Sequence, residues 1–318
     1  MPEKPRIIII VGPTGVGKTE LAIRLALDYG GEIISADSMQ VYRHMDIGTA
    51  KPTREQMSAV RHHLIDVVDP DEDFNAAVFV DLADRAVREL EKEDRNIFLV
   101  GGTGLYIRAL TGGLFEGPGA DSELRGQYRE ELRLFGKEYL YRKLKEKDPQ
   151  AASRIKPNDT VRMIRALEVY TLCGQSIVKK QNDHGFRKRP YECLKIGLIK
   201  ERGRLYRDID CRCEDMIRKG LVEEVETLLK LGFGETLKPM CTFNYRYIVD
   251  YLKGKYPLAE ALRWMKRDTR RYAKRQMTWF RRDEEIEWYV PSDITGIKAR
   301  IEKFLKGVSG AGQAYAGN

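Results

Sequence analysis

Five short apolar runs punctuate the chain: Ile7 to Val11, Glu32 to Ser35, His63 to Val68, Asn96 to Val100 and Leu194 to Ile199. Each has the length of a buried strand, and amphipathic helical patterns such as Phe79 to Leu90 lie between most of them. Such alternation predicts an α/β fold with a central parallel sheet and helices on both faces. The spacing is regular as far as Val100. Roughly a hundred residues then pass before the next run, far beyond an ordinary crossover. That interval opens on a bend, Gly112-Gly113-Leu114-Phe115-Glu116-Gly117-Pro118-Gly119, and runs on as charged, helical sequence. It closes with Gly185-Phe186-Arg187-Lys188-Arg189-Pro190. The economical reading is a helical subdomain at residues 119–190 inserted into a core built from 1–118 and 191–306. After Leu205 the pattern predicts a helical C-terminal part to Lys306, and the Gly- and Ala-rich residues 307–318 predict a disordered tail.

The first apolar run leads directly into Gly12-Pro13-Thr14-Gly15-Val16-Gly17-Lys18-Thr19, and helical periodicity (Leu21, Ala22, Leu25, Ala26) follows at once. Strand, G-x-x-x-x-G-K-T and helix in that order make a P-loop, so the core is expected to be P-loop NTPase-like. Its glycines let backbone N–H groups wrap a phosphate at a helix N-terminus, while Lys18 supplies charge and the Thr19 hydroxyl is placed to hold Mg²⁺. The motif specifies phosphates and leaves open the molecule that carries them.

Composition narrows the classes. A formal charge of +8 suits an acidic partner such as nucleic acid. The five cysteines are scattered and contain no C-x-x-C pair, which reads as reduced thiols. The N-terminus lacks signal-peptide regions and no apolar run reaches membrane-spanning length, so a cytoplasmic protein with no membrane partner is expected.

Three further stretches bear chemistry. Asp37 follows the second run, at the sheet edge where ligands of open α/β sheets bind; it suits a general base or a cation ligand, and equally a helix N-cap. Gly101-Gly102-Thr103-Gly104 again reads strand, turn, helix, and fits either close approach of a substrate or a tight structural turn. No acidic residue ends that strand, where many ATPases keep a Mg²⁺-binding aspartate, which argues against ordinary ATP hydrolysis. Ala261 to Arg282 holds nine Lys and Arg against Asp268 among the acids, recurring on one helix face; such a stripe suits a polyphosphate backbone, the alternative being a solvated face. His62-His63 lacks further ligands at metal-binding spacing and reads as a strand entry.

Taken in order, these stretches resemble the bacterial tRNA dimethylallyltransferase family, also called tRNA isopentenyltransferases. The likeness covers roughly residues 6–305 and is carried by the P-loop, by Ser35-Ala36-Asp37-Ser38 with Gln40-Val41-Tyr42-Arg43, and by His62-His63-Leu64-Ile65-Asp66. Gly101 to Tyr106, Arg162 to Tyr170 and Arg271 to Gln276 with Thr278-Trp279 continue it. The block Met45-Asp46-Ile47-Gly48-Thr49-Ala50-Lys51-Pro52 is the most specific element, because nothing in generic P-loop physics requires it.

The resemblance implies transfer of a dimethylallyl group from dimethylallyl diphosphate to N6 of the adenosine immediately 3′ of the anticodon, in tRNAs reading codons that begin with U. It implies that Asp37 takes the N6 proton, with Thr103 beside the reacting nucleotide and Ser38, Met39 and Gln40 lining the adenine pocket. The P-loop residues Gly12, Pro13, Thr14, Gly15, Val16, Gly17, Lys18 and Thr19, with Arg207 and Arg212, would hold the diphosphate, and Mg²⁺ would sit on Thr19. The anticodon stem-loop would meet Arg125 and Val161, Arg162, Met163, Ile164 and Arg165 of the insertion, and Arg271, Lys274 and Gln276 of the basic stripe. A monomer is expected.

Two positions depart from the family pattern: Asp208 stands where an arginine is usual, and Asn244 where a glycine is usual. The rival readings are an adenylate isopentenyltransferase, a nucleotide kinase and an RNA-binding protein without catalysis. The first fits poorly with the insertion and the basic stripe, and the second leaves the Asp46 to Pro52 block unexplained.

Overall fold

A computed structural model describes residues 4–115, 117–185 and 188–307. The chain opens with β1 (Arg6–Val11), α1 (Lys18–Asp28), β2 (Gly31–Ser35), α2 (Arg54–Ala59), β3 (His62–His63), α3 (Ala76–Lys92), β4 (Asn96–Gly101) and α4 (Gly104–Gly112). Four helices follow: α5 (Ser122–Lys147), α6 (Pro149–Arg154), α7 (Thr160–Cys173) and α8 (Ile177–His184). The remainder is β5 (Glu192–Leu198), α9 (Arg202–Arg218), α10 (Leu221–Lys230), α11 (Phe243–Leu252), α12 (Leu258–Phe280), β6 (Ile286–Tyr289) and α13 (Ile294–Leu305). The described residues divide into two compact units, one reaching Thr111 and resuming at Arg189, the other Gly112–Lys188. The division falls a few residues before the 119–190 drawn from the Gly/Pro bend.

In the larger unit every strand pairing is parallel and the order is β3-β2-β4-β1-β5-β6. Strand β1 runs between β4 and β5, covered on both faces, which is why Ile7 to Val11 is apolar at every position and fully buried. This is the P-loop NTPase-like α/β core. Register aligns the carboxyl ends of three strands: Val11 pairs with Gly101, and Ser35 with Val100. The three loops that follow therefore emerge side by side. Gly101 lies so close to Ala36 that a Cβ there would fall 2.1 Å from the Ala36 carbonyl oxygen.

Two expectations need correction. The run His63 to Val68 yields only a two-residue strand, because Leu64 and Asp66 adopt left-handed φ of 63° and 56° and break the ladder. Conversely β6 interrupts the stretch expected to be wholly helical; its four residues add an edge strand to β5. The segment 307–318 expected as a tail lies outside the described residues beyond Gly307.

The smaller unit has its own core of Tyr128, Leu140, Leu144, Met163 and Leu167. Helix α5 breaks at Gly136, where φ is 80°. The completely buried Glu168 of α7 accepts from Arg125 Nε and Nη2, from Arg165 Nη1 and from the Asp121 amide. Burial pushes its carboxyl up, but those donors outweigh burial and hold it below the usual range.

Candidate active site

The three aligned loops build one wall of a cavity of ≈ 240 Å³. At its floor, the P-loop turns through left-handed glycines, Gly15 at φ 80° and Gly17 at φ 100°, into the first turn of α1. Lys18 Nζ donates to the carbonyls of Gly12 and Pro13 at 2.9 and 3.0 Å. Burial pulls its pKa down to about 8, against the opposing pull of Asp37 and with a smaller push from Arg212. Thr14 and Thr19 also line the cavity. Val16 contributes backbone only, since its side chain is buried in the core, and Pro13 has no N–H to offer.

Asp37 stands just beyond β2. Its Oδ1 accepts from the amides of Met39 and, longer, Gln40, so it caps a turn and not a helix. Among the described residues nothing hydrogen-bonds Oδ2. The capping role and the catalytic candidacy are thus compatible, one oxygen each. Ser35 Oγ and Ala50 O fix the side chain of Gln40, which with Ser38 and Met39 lines the cavity. Thr103 locks the neighbouring loop: its hydroxyl accepts from the Ser38 amide at 3.1 Å while its own N–H donates to Ala36 O.

Helix α9 sorts the two candidate arginines by spacing. Leu205, Ile209, Cys213 and Met216 make its buried face, and Ile209 packs against Gly15. Arg212 is on the edge of that face and lines the cavity, where burial lowers its pKa against the attraction of Asp37. Arg207 falls on the exposed side. The departure at Asp208 is equally remote in role: it pairs with Lys200. The departure at Asn244 is in the first turn of α11 with no positive φ, so the backbone there does not require a glycine. Its Nδ2 donates to Gly48 O at 2.7 Å, and among the described residues its buried Oδ1 finds no partner, as is true of His62 Nε2; both residues line the cavity.

Several residues expected to hold RNA do other work. Gln276 is buried and bridges two loops of the site, accepting from Thr14 N–H at 2.9 Å and donating to Gly102 O at 3.0 Å. Periodicity could have placed it on the buried face with Met265, Thr269 and Ala273; its position in a basic run obscured that. In the smaller unit Met163 and Ile164 are core residues, so their side chains do not face a partner. Arg125 and Arg165 are engaged by Glu168, and Arg165 also donates to Pro118 O and Gly119 O. Val161 (79% exposed) and Arg162, paired with Asp159, remain outward.

The basic stripe is partly neutralised, against the expectation from one acid in the run. Arg263 meets Glu260, Lys266 meets Glu214, Arg270 meets Asp210, and Arg267 and Arg271 share Asp268. Among the described residues Lys274, Arg275, Arg281 and Arg282 are exposed and meet no acid, so the unpaired charge of the stripe sits on the last turns of α12 and the turn that follows it.

Residues 40–283 match the family model described as IPPT, IPP transferase. A tRNA dimethylallyltransferase 2 of Syntrophus aciditrophicus is 56% identical over 305 residues, 96% of this chain and 98% of that protein. The chain belongs to the tRNA dimethylallyltransferase family. A tRNA dimethylallyltransferase of Geobacter metallireducens is 51% identical over 286 residues, 90% of this chain and 93% of that protein. Among solved structures, the full-length tRNA isopentenylpyrophosphate transferase of Bacillus halodurans superposes with a TM-score of 0.71 at 41% identity, covering 95% of this chain and 97% of that one. A eukaryotic dimethylallyltransferase, captured acting on tRNA, gives 0.81 at 25% identity, covering 97% of this chain and 81% of that one. No described helix is long and apolar enough to cross a membrane.

Proposed function

We infer that this protein is a prenyltransferase that moves a dimethylallyl group from dimethylallyl diphosphate to a tRNA, at N6 of the adenosine immediately 3′ of the anticodon in tRNAs reading codons that begin with U. The observation that carries the reading is a free carboxylate oxygen, Asp37 Oδ2, in one cavity with the cations Lys18 and Arg212.

The chemistry needs both. Adenine N6 is a weak nucleophile because its lone pair is delocalised into the ring. As N6 bonds to the allylic C1, the C1–O bond to diphosphate breaks and the excess proton on N6 passes to Asp37 Oδ2. Negative charge grows on the departing diphosphate, where Lys18, Arg212 and the P-loop amides stabilise it. Thr103, whose hydroxyl oxygen accepts from Ser38 and which hydrogen-bonds the buried Tyr272 hydroxyl, would fix the wall against which the nucleotide lies. The adenine must leave its stack to reach the cavity, and Ser38, Met39 and Gln40 are the proposed lining of its pocket.

For Mg²⁺ the donor set is sparse: no cluster of three His, Cys, Asp or Glu occurs among the described residues. Thr19, whose hydroxyl is an oxygen donor of the kind Mg²⁺ takes, lines the cavity and would hold the ion beside the substrate. When bound it would neutralise leaving-group charge. The tRNA is proposed to meet the exposed Lys274, Arg275, Arg281 and Arg282, together with Val161 and Arg162.

Asp37→Asn tests the assignment. Single-turnover transfer should fall by about 10²-fold or more while tRNA affinity stays within about threefold, because only the proton acceptor is lost. Loss of tRNA binding in parallel with transfer would make Asp37 a structural cap instead.

A further inference from the structure

The segment Asp46 to Pro52 is held by a carboxylate from a helix distant in sequence. The amides of Asp46, Ile47 and Gly48 converge on Glu224 of α10 at 2.8, 2.7 and 3.0 Å, and the Tyr245 hydroxyl donates to the same carboxylate at 2.8 Å. Three consecutive peptide N–H groups aimed at one anion form a nest, which needs negative charge to be satisfied. Gly48 is pressed onto Tyr245 so closely that a Cβ there would fall 2.5 Å from the ring. Lys51, its side chain 3% exposed, ties the other end through Tyr42 O, Asp46 and Asp66.

What is fastened this way is cavity wall. Gly48, Thr49 and Ala50 line the cavity, and Ala50 O receives Gln40 Nε2, three residues beyond Asp37. Glu224 itself is outside the lining. We propose that Glu224 is a positioning residue for the transfer reaction: its carboxylate sets the 46–50 strip, and through Gln40 the acceptor side of the cavity, relative to Asp37. The proposal rests on reading the cavity as the transferase site.

Each carboxylate oxygen has two donors, one oxygen taking Asp46 and Ile47, the other Gly48 and Tyr245. Glu224→Gln places an NH₂ against one pair. It should lower kcat by about tenfold and leave KM for dimethylallyl diphosphate within about twofold, because the P-loop is untouched. Glu224→Ala empties the nest. Its loss should be larger, about thirtyfold, and added formate should restore part of kcat in the Ala variant but not in the Gln variant, whose side chain fills the space.

The decisive experiment pairs kinetics with hydrogen exchange of a peptide spanning residues 44–50, at a temperature where circular dichroism shows each variant folded. Exchange about tenfold faster in Glu224→Ala, slowed again by formate, together with formate rescue of kcat, is the expected result. Unchanged kcat in both variants, or exchange and kcat that ignore formate, would overturn the proposal. A parallel rise in KM for the diphosphate would do the same, marking general loosening. If the Ala variant does not fold, the kcat and KM of the Gln variant decide it. If the wild-type protein transfers nothing, the function proposed above fails, and the exchange arm still decides whether the carboxylate holds the strip.

Discussion

Asp37 divides its oxygens between a turn and a cavity, and this division is why sequence spacing left capping and catalysis open. Both readings use the same residue; only the hydrogen-bond partners of each oxygen separate the roles. Lys18 offers a sharper test at this scale. With its pKa brought down to about 8 by burial, the free protein loses that positive charge as pH rises through 8. Affinity for diphosphate, which needs the charged amine, is full below that pH and should weaken by up to about tenfold per unit above it. Calorimetric titration with inorganic diphosphate from pH 7 to 9.5 checks this, and a flat profile would contradict it. Replacing Asn244 with glycine removes the donor to Gly48 O while the helix keeps its geometry, so folding should persist at a stability cost of about 1 kcal/mol, read as a small fall in Tm.

Among the elements, the strands that carry the site were legible because β1 and β4 are buried on both faces and read as continuous apolar runs, with β2 marked by its buried Ile33-Ile34 pair. Strand β6 was not: an edge strand of four residues, one of them buried, gives no periodic signal strong enough to stand out after a long helix. Helix periodicity did hold the answer for the arginines. Counting from Leu205 and Ile209, position 212 turns inward and 207 outward. Arg212→Ala should therefore cut kcat/KM by about 10²-fold, whereas Arg207→Ala should stay within about threefold. Equal losses would mean that α9 rearranges when substrate binds. The bridge made by Gln276 is a further element-level feature, joining α12 to the loops after β1 and β4. Gln276→Ala strands the Thr14 N–H and the Gly102 carbonyl, a cost of about 1–3 kcal/mol, and should raise KM for the diphosphate more than it lowers kcat.

For the whole molecule, net charge pointed to an acidic partner but overstated the surface that meets it. Acids supplied by α9, distant in sequence, neutralise Lys266 and Arg270, and no scan along α12 alone would find them. In the same way the Asp46 to Pro52 block was conspicuous in sequence but opaque. Its meaning is in Glu224, 178 positions beyond Asp46. Long-range pairing of this kind is what sequence patterns omit. The chemistry on the strand ends was readable because a P-loop carries its mechanism locally.

Whether this cavity prenylates an adenosine in tRNA is read from the transfer itself. Purified protein, Mg²⁺ and labelled dimethylallyl diphosphate would be given an unmodified tRNA with adenosine 3′ of the anticodon, the same tRNA with guanosine there, and free AMP. Label confined to the adenosine tRNA, released on digestion as N6-dimethylallyladenosine, is the predicted result. Label in AMP, or none in the adenosine tRNA, would contradict it.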